Sequence, residues 1–296
     1  MGESPVEALY EQVRAAVPVA ADHAPPTLLQ VFPGIRVLAL RTPTLPPAAH
    51  TNVYLVGPDA GPVAVVDPGS PYRDQQTVLD EVIGGVGISR VLLTHHHGDH
   101  VGGAAALAER WQVPIAAHPR TAERLAGVVE VTQLLEDGEV AFSWQAGGAT
   151  CVFTPGHADG HLCFEIGGAT IAGDMVAGLG TILIDPSEGD MALYLESLER
   201  LRARPQSMIL PAHGPPIPDG HAKLTEYLVH RRMREQRVLD AVPTGGGSAM
   251  IDDLVATAYS DTPRVLWPLA ERSLRAHLVK LLREGRVRET LGRWSR

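Results

Sequence analysis

Apolar positions change their spacing several times along the chain, and each change marks a boundary between elements. "TNVYLVG" (51–57) and "PVAVVDPG" (62–69) are dense in β-branched residues and flank "PDAG", which predicts neighbouring strands joined by a turn. Residues 72–83 predict a helix, "SRVLLT" (89–94) a buried strand, 102–111 a helix and "VPIAAH" (113–118) another strand. Strand character returns over 149–156, 161–167 and 169–174, followed by a helix over 192–203 and a last strand in "SMILPAHG" (207–214). Ahead of all these, "MGESPVEALYEQVRAAVPVA" predicts a short amphipathic helix. Strands alternating with crossover helices imply sheets covered by helices.

From about residue 222 the pattern becomes three helices and a hairpin. "KLTEYLVHRRMREQRVLDAV" predicts the first helix, and "TGGGS" (244–248) ends it, with Ser248 placed to cap the next. In the second helix Ile251, Leu254, Val255, Ala258 and Tyr259 form one stripe. Leu274, Leu278, Leu281 and Leu282 do so in the third, which Gly285 stops. "RVRETLGRWS" (286–295) predicts a β-hairpin turning near Gly292, the wing of a winged-helix-like domain. The expected division is therefore a catalytic part, 1–221, whose residues 1–27 are an N-terminal extension, and a winged-helix-like domain, 222–296.

Charge sharpens that division. Residues 1–220 carry 11 Lys and Arg against 25 Asp and Glu, a net −14, whereas 221–296 carry 14 against 9, a net +5. A basic module can meet a polyanion, or simply present a solvated helical face. Arg231, Arg232, Arg234 and Arg237 cannot share one helix face, so some must pack or pair with Glu235 and Asp240. No run approaches the roughly 18 apolar residues of a membrane span, and the N-terminus lacks a basic leader region. The two cysteines, Cys151 and Cys163, are too few for a disulfide framework. These features predict a cytoplasmic protein that does not enter a membrane.

"VLLTHHHGDH" (91–100) adds chemistry to this frame. Neutral imidazoles and carboxylates are good ligands for Zn²⁺ and similar ions, and a strand end followed by a loop holds them rigidly. His95 and His97 alternate on one side of extended backbone while His96 points away; Asp99 and His100 follow the turn at Gly98. Three later strand ends deliver His157, Asp174 and His213. His161, four residues after His157, is either a donor to the substrate or an ordinary strand-start histidine.

"THHHGDH", followed by "TPGH", "IAGD" and "LPAHG", resembles the H-x-H-x-D-H pattern of the metallo-β-lactamase superfamily over residues 28–215. The resemblance implies an α/β fold, an αββα metallo-β-lactamase sandwich with a metal pair at one edge of two facing sheets. It implies that His95, His97 and His157 hold one metal, that Asp99, His100 and His213 hold the second, and that Asp174 bridges them. It also implies that Asp67, in "VVDPG", supports the ligand loops from behind, where residue type alone would make it a strand-ending turn residue. Neither cysteine stands at a ligand position, unlike true zinc β-lactamases, and His97 replaces the Glu of the diiron flavoprotein branch. The 222–296 region looks like the tail of the β-lactamase-like protein 2 group, which extends the resemblance over nearly the whole chain.

The resulting expectation is a dinuclear metal-dependent hydrolase that uses a hydroxide bridging two Zn²⁺, with Fe²⁺ or Mn²⁺ as alternatives. Its first substrate candidate is a phosphodiester, single-stranded RNA in particular, with Arg286, Arg288 and Arg293 around the wing holding phosphates. The alternative substrate is a small-molecule ester or thioester, as in glyoxalase II or acyl-carrier thioesterases. Other activities of the superfamily, including single-iron sulfur oxidation, and a non-catalytic metal-sensing regulator complete the range. Oligomeric state has no signal in the sequence.

Overall fold

A computed structural model describes residues 5–17, 19, 26–205 and 207–296. Two sheets face each other. The first runs in chain order: β1 (Leu29–Phe32), β2 (Ile35–Arg41), β3 (His50–Val56), β4 (Val63–Val66), β5 (Ile88–Leu92), β6 (Ile115–Ala117) and β7 (Gln133–Leu134). It is antiparallel as far as β4 and parallel from β4 to β7. The second comprises β8 (Val140–Trp144), β9 (Gly147–Phe153), β10 (Leu162–Ile166), β11 (Ala169–Gly173) and β12 (Met208–Pro211), adjacent in that order. Only β11 and β12 pair in parallel there.

Period-two alternation explains the layering. Tyr54 and Val56 of β3 point into the core between the sheets, where they meet Leu162, Phe164 and Ile171. Val53 and Leu55 of the same strand point outward. They pack under Leu79 and Ile83 of α2 (Arg73–Gly84) and Leu107 of α4 (Ala104–Trp111). The first helix, α1 (Pro5–Ala16), agrees with the amphipathic prediction, of which residues 1–4, 18 and 20 lie outside the described residues. The short α3 (Gly98–Val101) carries the ligand loop, and α5 (Pro119–Leu125) follows β6. On the far side α6 (Met191–Arg202) and α7 (Gly220–Ala241) cover the second sheet, Tyr194, Leu198, Leu224 and Leu228 packing onto Val152, Cys163 and Ile209. Both cysteines are buried free thiols.

The 22-residue α7 is long enough to enter a second core. Its Val238 and Leu239 meet Leu254 and Val255 of α8 (Ile251–Ala258) and Leu274 and Leu278 of α9 (Trp267–Arg283). Both predicted stripes are therefore core, except that Leu282 is exposed. The hairpin β13 (Arg288–Thr290) and β14 (Arg293–Ser295) turns at Leu291 and Gly292, both with positive φ, the geometry of a tight two-residue hairpin turn. Ser248 does not cap α8, whose N-cap is Met250; its hydroxyl accepts from Arg293 Nε instead, at 2.8 Å. Among the described residues no helix is long and apolar enough to cross a membrane.

Candidate metal centre

The carboxyl ends of the parallel strand pairs converge at one edge. Asp67 follows β4, His95 follows β5, and Asp174 and His213 follow β11 and β12. Close backbone approach holds these loops together: a Cβ at Gly69 would lie 1.8 Å from the Asp99 carbonyl oxygen. Gly173, at φ +48, passes so near His161 and Thr94 that a Cβ there would lie 2.6 Å from His161 Nε2.

Three imidazole nitrogens meet at one point. His97 Nδ1 is 2.9 Å from His95 Nε2 and 3.0 Å from His157 Nε2. Their protons are fixed by the opposite ring nitrogens. The Thr94 hydroxyl donates to Asp67 Oδ2 (2.6 Å), so it accepts from His95 Nδ1 (3.0 Å). His157 Nδ1 donates to the Leu183 carbonyl (2.9 Å), and His97 Nε2 donates to Glu188 Oε1 (3.0 Å). Each ring thus turns a lone pair inward, and three converging lone pairs repel unless a cation lies among them. Burial, then the neighbouring imidazoles, holds His95 well below the ordinary histidine range, and burial followed by the proximity of His97 takes His157 down to about 4.

A second group lies beside the first. His100 Nδ1 donates to Asp67 Oδ2 (2.9 Å) and His213 Nδ1 to the His50 carbonyl (3.0 Å), leaving both Nε2 atoms facing carboxylates. Asp174 Oδ1 is 3.6 Å from His100 Nε2 and 3.3 Å from His213 Nε2, and Asp99 Oδ2 is 3.5 Å from the latter. Asp174 Oδ2 turns the other way, 3.6 Å from His157 Nε2. His100 Nε2 and Asp174 Oδ1 are buried with no hydrogen-bond partner. Orphaned donor-set atoms of this kind are what a metal satisfies, so the residues fit metal ions: His95, His97 and His157 could hold one, and Asp99, His100 and His213 another. Burial opposes charge on His100, but Asp174, Asp99 and Asp67 outweigh it and raise its pKa well above the ordinary range. The reciprocal effect of His213 and His100 outweighs burial at Asp174, whose pKa lies well below the usual carboxylate range. Protein purified without chelator is expected to carry about two metal equivalents per chain by elemental analysis. Fully active protein with one would rule out a pair.

Not every expected residue joins this group. His161 is fully buried; its Nε2 accepts the Asp174 N–H (3.2 Å) and its Nδ1 faces the Thr154 hydroxyl (2.8 Å). It positions Asp174 and has no open face for a substrate, which favours the structural one of its two expected roles over the donor. Arg286, Arg288 and Arg293 are on the hairpin side, outside the cavity above the ligands. Arg286 pairs with Glu235 and Glu284, and Arg293 with Ser248. Arg231 and Arg234 are buried and pair with the Ile182 carbonyl and Asp261, so they meet the expectation of packing and not that of pairing with Glu235 and Asp240. Glu188 is the polar residue at the centre that sequence reasoning missed. It accepts from His96 Nε2 and His97 Nε2, each at 3.0 Å, and lies in a turn, "PSEGD", with no spacing to single it out. Burial opposes its ionisation, yet those two imidazoles hold its carboxyl far below the usual range.

Two facing sheets sheathed in helices, with lone pairs and carboxylates gathered at one end, define a metallohydrolase. Residues 46–213 match the Metallo-beta-lactamase superfamily, and the chain belongs to it; residues 251–294 match the Beta-lactamase associated winged helix domain. The chain is a hydrolase of that superfamily. It is 30% identical over 270 residues to the Beta-lactamase-like protein 2 homolog of Drosophila melanogaster, covering 86% of this chain and 89% of that protein. It is also 30% identical over 257 residues to the Atrochrysone carboxyl ACP thioesterase AacuM of Aspergillus aculeatus, covering 80% of this chain and 77% of the relative. A Beta-lactamase domain protein from Burkholderia ambifaria has the same fold, with a TM-score of 0.78 at 23% identity over 93% of this chain and 95% of that one.

Proposed function

We propose that the chain hydrolyses acyl esters, and thioesters above all, at a pair of zinc ions. In this reading His95, His97 and His157 would hold one ion and Asp99, His100 and His213 the other, with Asp174 between the two groups. The observation that carries the substrate class is the cavity above them. It measures about 830 Å³, a volume suited to a small-molecule ligand. Beyond the ligands, its walls include Leu45, Leu179, Ile182, Leu183, Leu266 and Leu269. An acyl chain gains from burial against such walls, whereas a polyanion needs a track of free cations. The four arginines that line the cavity are already engaged: Arg14 with the Pro43 carbonyl, Arg124 with Asp159, Arg231 with the Ile182 carbonyl and Arg234 with Asp261. The named activity of the Aspergillus aculeatus relative, a carboxyl ACP thioesterase, supports the same reading.

A metal pair supplies Lewis acidity at the carbonyl oxygen and lowers the pKa of a water toward about 7. The protein's part is to seat the acyl chain so that the carbonyl reaches Asp99 and His213, and to keep bulk water away with the leucines. Water adds at the carbonyl carbon, the C–S bond breaks, and a carboxylic acid and a thiol are released. A thiol is far more acidic than an alcohol, with a pKa of about 8.5 in the cysteine side chain, so it departs as the thiolate without a general acid and then takes up the proton lost by the added water. That requirement fits a cavity from which His161 is withdrawn.

The test is a panel of acyl thioesters of graded chain length, a chromogenic ester, a chromogenic phosphodiester and a single-stranded RNA. Thioesters should be hydrolysed, chelator should abolish the reaction, and the RNA should survive. Leu269→Trp should raise KM for long acyl chains more than for acetyl. RNA or phosphodiester cleavage with no acyl turnover would overturn the proposal.

A further inference from the structure

Three contacts already described start from one segment, 181–190. The Leu183 carbonyl accepts from His157 Nδ1, and the Glu188 carboxylate accepts from His97 Nε2 and His96 Nε2. The segment therefore fixes the outer nitrogens of two of the three converging imidazoles. Its own fixation comes largely from helices beyond residue 220. Arg231 of α7, almost wholly buried, donates to the Ile182 carbonyl. Arg272 of α9 donates through Nε to Asp185 Oδ2 at 2.7 Å, and Arg283 of α9 pairs with Asp190. Asp185 is itself buried, and its other oxygen accepts from Ser187 N (2.9 Å) and Ser187 Oγ (2.7 Å), shaping the turn that presents Glu188. The Asp185 carbonyl also accepts from Gly189 N at 2.7 Å.

We propose that Glu188 is a positioning residue for the metal centre, and that Arg272 acts on the centre through the Asp185 turn that carries it. A ring nitrogen that donates to a carboxylate leaves the opposite nitrogen unprotonated and more basic, and also fixes the plane of the ring. Glu188 does this for His97, whose Nδ1 faces His95 and His157. His96, His97 and Glu188 could themselves be read as a third metal group. That reading would require His97 to ligate through both nitrogens, whereas a hydrogen bond at Nε2 leaves one lone pair for the centre. Burying a carboxylate is costly unless its oxygens are paired, and here each oxygen has one imidazole N–H. The C-terminal helices thus have a task in this protein that involves no nucleic acid: they hold the turn that orients the ligands.

The inference rests on the metal reading of the centre and is independent of the acyl substrate. It is tested on the full chain, stripped of metal and titrated with zinc against a chromogenic chelator, alongside melting of the metal-free protein. Glu188→Ala should weaken one zinc equivalent by about 10–100-fold. Glu188→Gln keeps the volume and one acceptor oxygen, so its affinity should fall between that variant and the parent. It carries the test if Glu188→Ala does not fold. Arg272→Gln should weaken the same equivalent by about threefold to tenfold, and Arg272→Lys should recover part of the loss. The control is Arg232→Gln, which removes another ion pair between α7 and the body, Arg232 to Glu199 at 2.6 Å, and should leave zinc affinity unchanged. Unchanged affinity in the Glu188 and Arg272 variants overturns the proposal. So does an equal loss in Arg272→Gln and Arg232→Gln, which would mean that domain docking in general, and not this turn, supports the centre. A parent chain that binds no zinc ends the metal reading itself.

Discussion

The Asp99→Asn enzyme is expected to fold and bind metal much as the parent does, and to turn over roughly 10²–10⁴ times more slowly. Asp99 lies in the first turn of α3 and borders the cavity. Burial pushes its carboxyl up, but His100 and then His213 outweigh burial and bring it below the ordinary carboxylate range. It is therefore ionised at neutral pH. Its oxygens lie 3.5 Å from His213 Nε2 and 3.9 Å from His100 Nε2, while Asp174 supplies a second negative charge to the same imidazoles. Asparagine keeps the shape and one ligand oxygen but cannot hold a proton at the carbonyl being attacked. The measurement is kcat on a thioester together with metal content. Near-parental kcat would remove Asp99 from proton handling. Metal lost in proportion to rate would make it a ligand and nothing more.

The parts of the centre visible in the sequence are those that share a loop or end a strand. His95, His97, Asp99 and His100 fall within six positions, and His157, Asp174 and His213 each follow a run of buried strand residues. Strands buried on both faces, such as β4 and β5, announce themselves as apolar runs. Strand β2 carries the same signal, with Ile35 and Val37 facing one core and Leu38 and Leu40 the other. Strand β8 is not: Val140 and Ser143 are exposed, and the run has no clean alternation. The arginines show the limit of charge patterning. Helix geometry requires that some of the α7 arginines pack or pair, but not which ones or with what: Arg231 and Arg234 are the buried ones, and their carbonyl and carboxylate acceptors lie up to 49 residues away in sequence. Glu188 is the extreme case. Its partners His96 and His97 are 92 and 91 residues distant, so only the fold brings them together.

Asp67→Asn is expected to destabilise the protein by about 3–5 kcal/mol, because a buried charged acceptor would be replaced by a group that cannot satisfy the same donors. Asp67 is buried and adopts a φ of 50°, a left-handed conformation that aspartate tolerates better than most residues. Its Oδ1 accepts from Thr94 N (2.8 Å), and its Oδ2 accepts from the Thr94 hydroxyl (2.6 Å) and His100 Nδ1 (2.9 Å). Asparagine has one carbonyl oxygen, so whichever way the amide turns, its NH₂ faces a donor. A loss of that size lowers Tm by about 6–20 °C in a protein of this length. The effect should extend to the metal. With no carboxylate at Nδ1, the His100 proton is free to move to Nε2, the buried nitrogen that faces Asp174. Zinc affinity at the Asp99, His100 and His213 group should then fall by about 10–100-fold. Melting of the metal-free variant and a zinc titration separate the two consequences. A lowered Tm with parental zinc affinity would reduce Asp67 to a strand-ending turn residue, and parental values of both would remove it from the support of the centre.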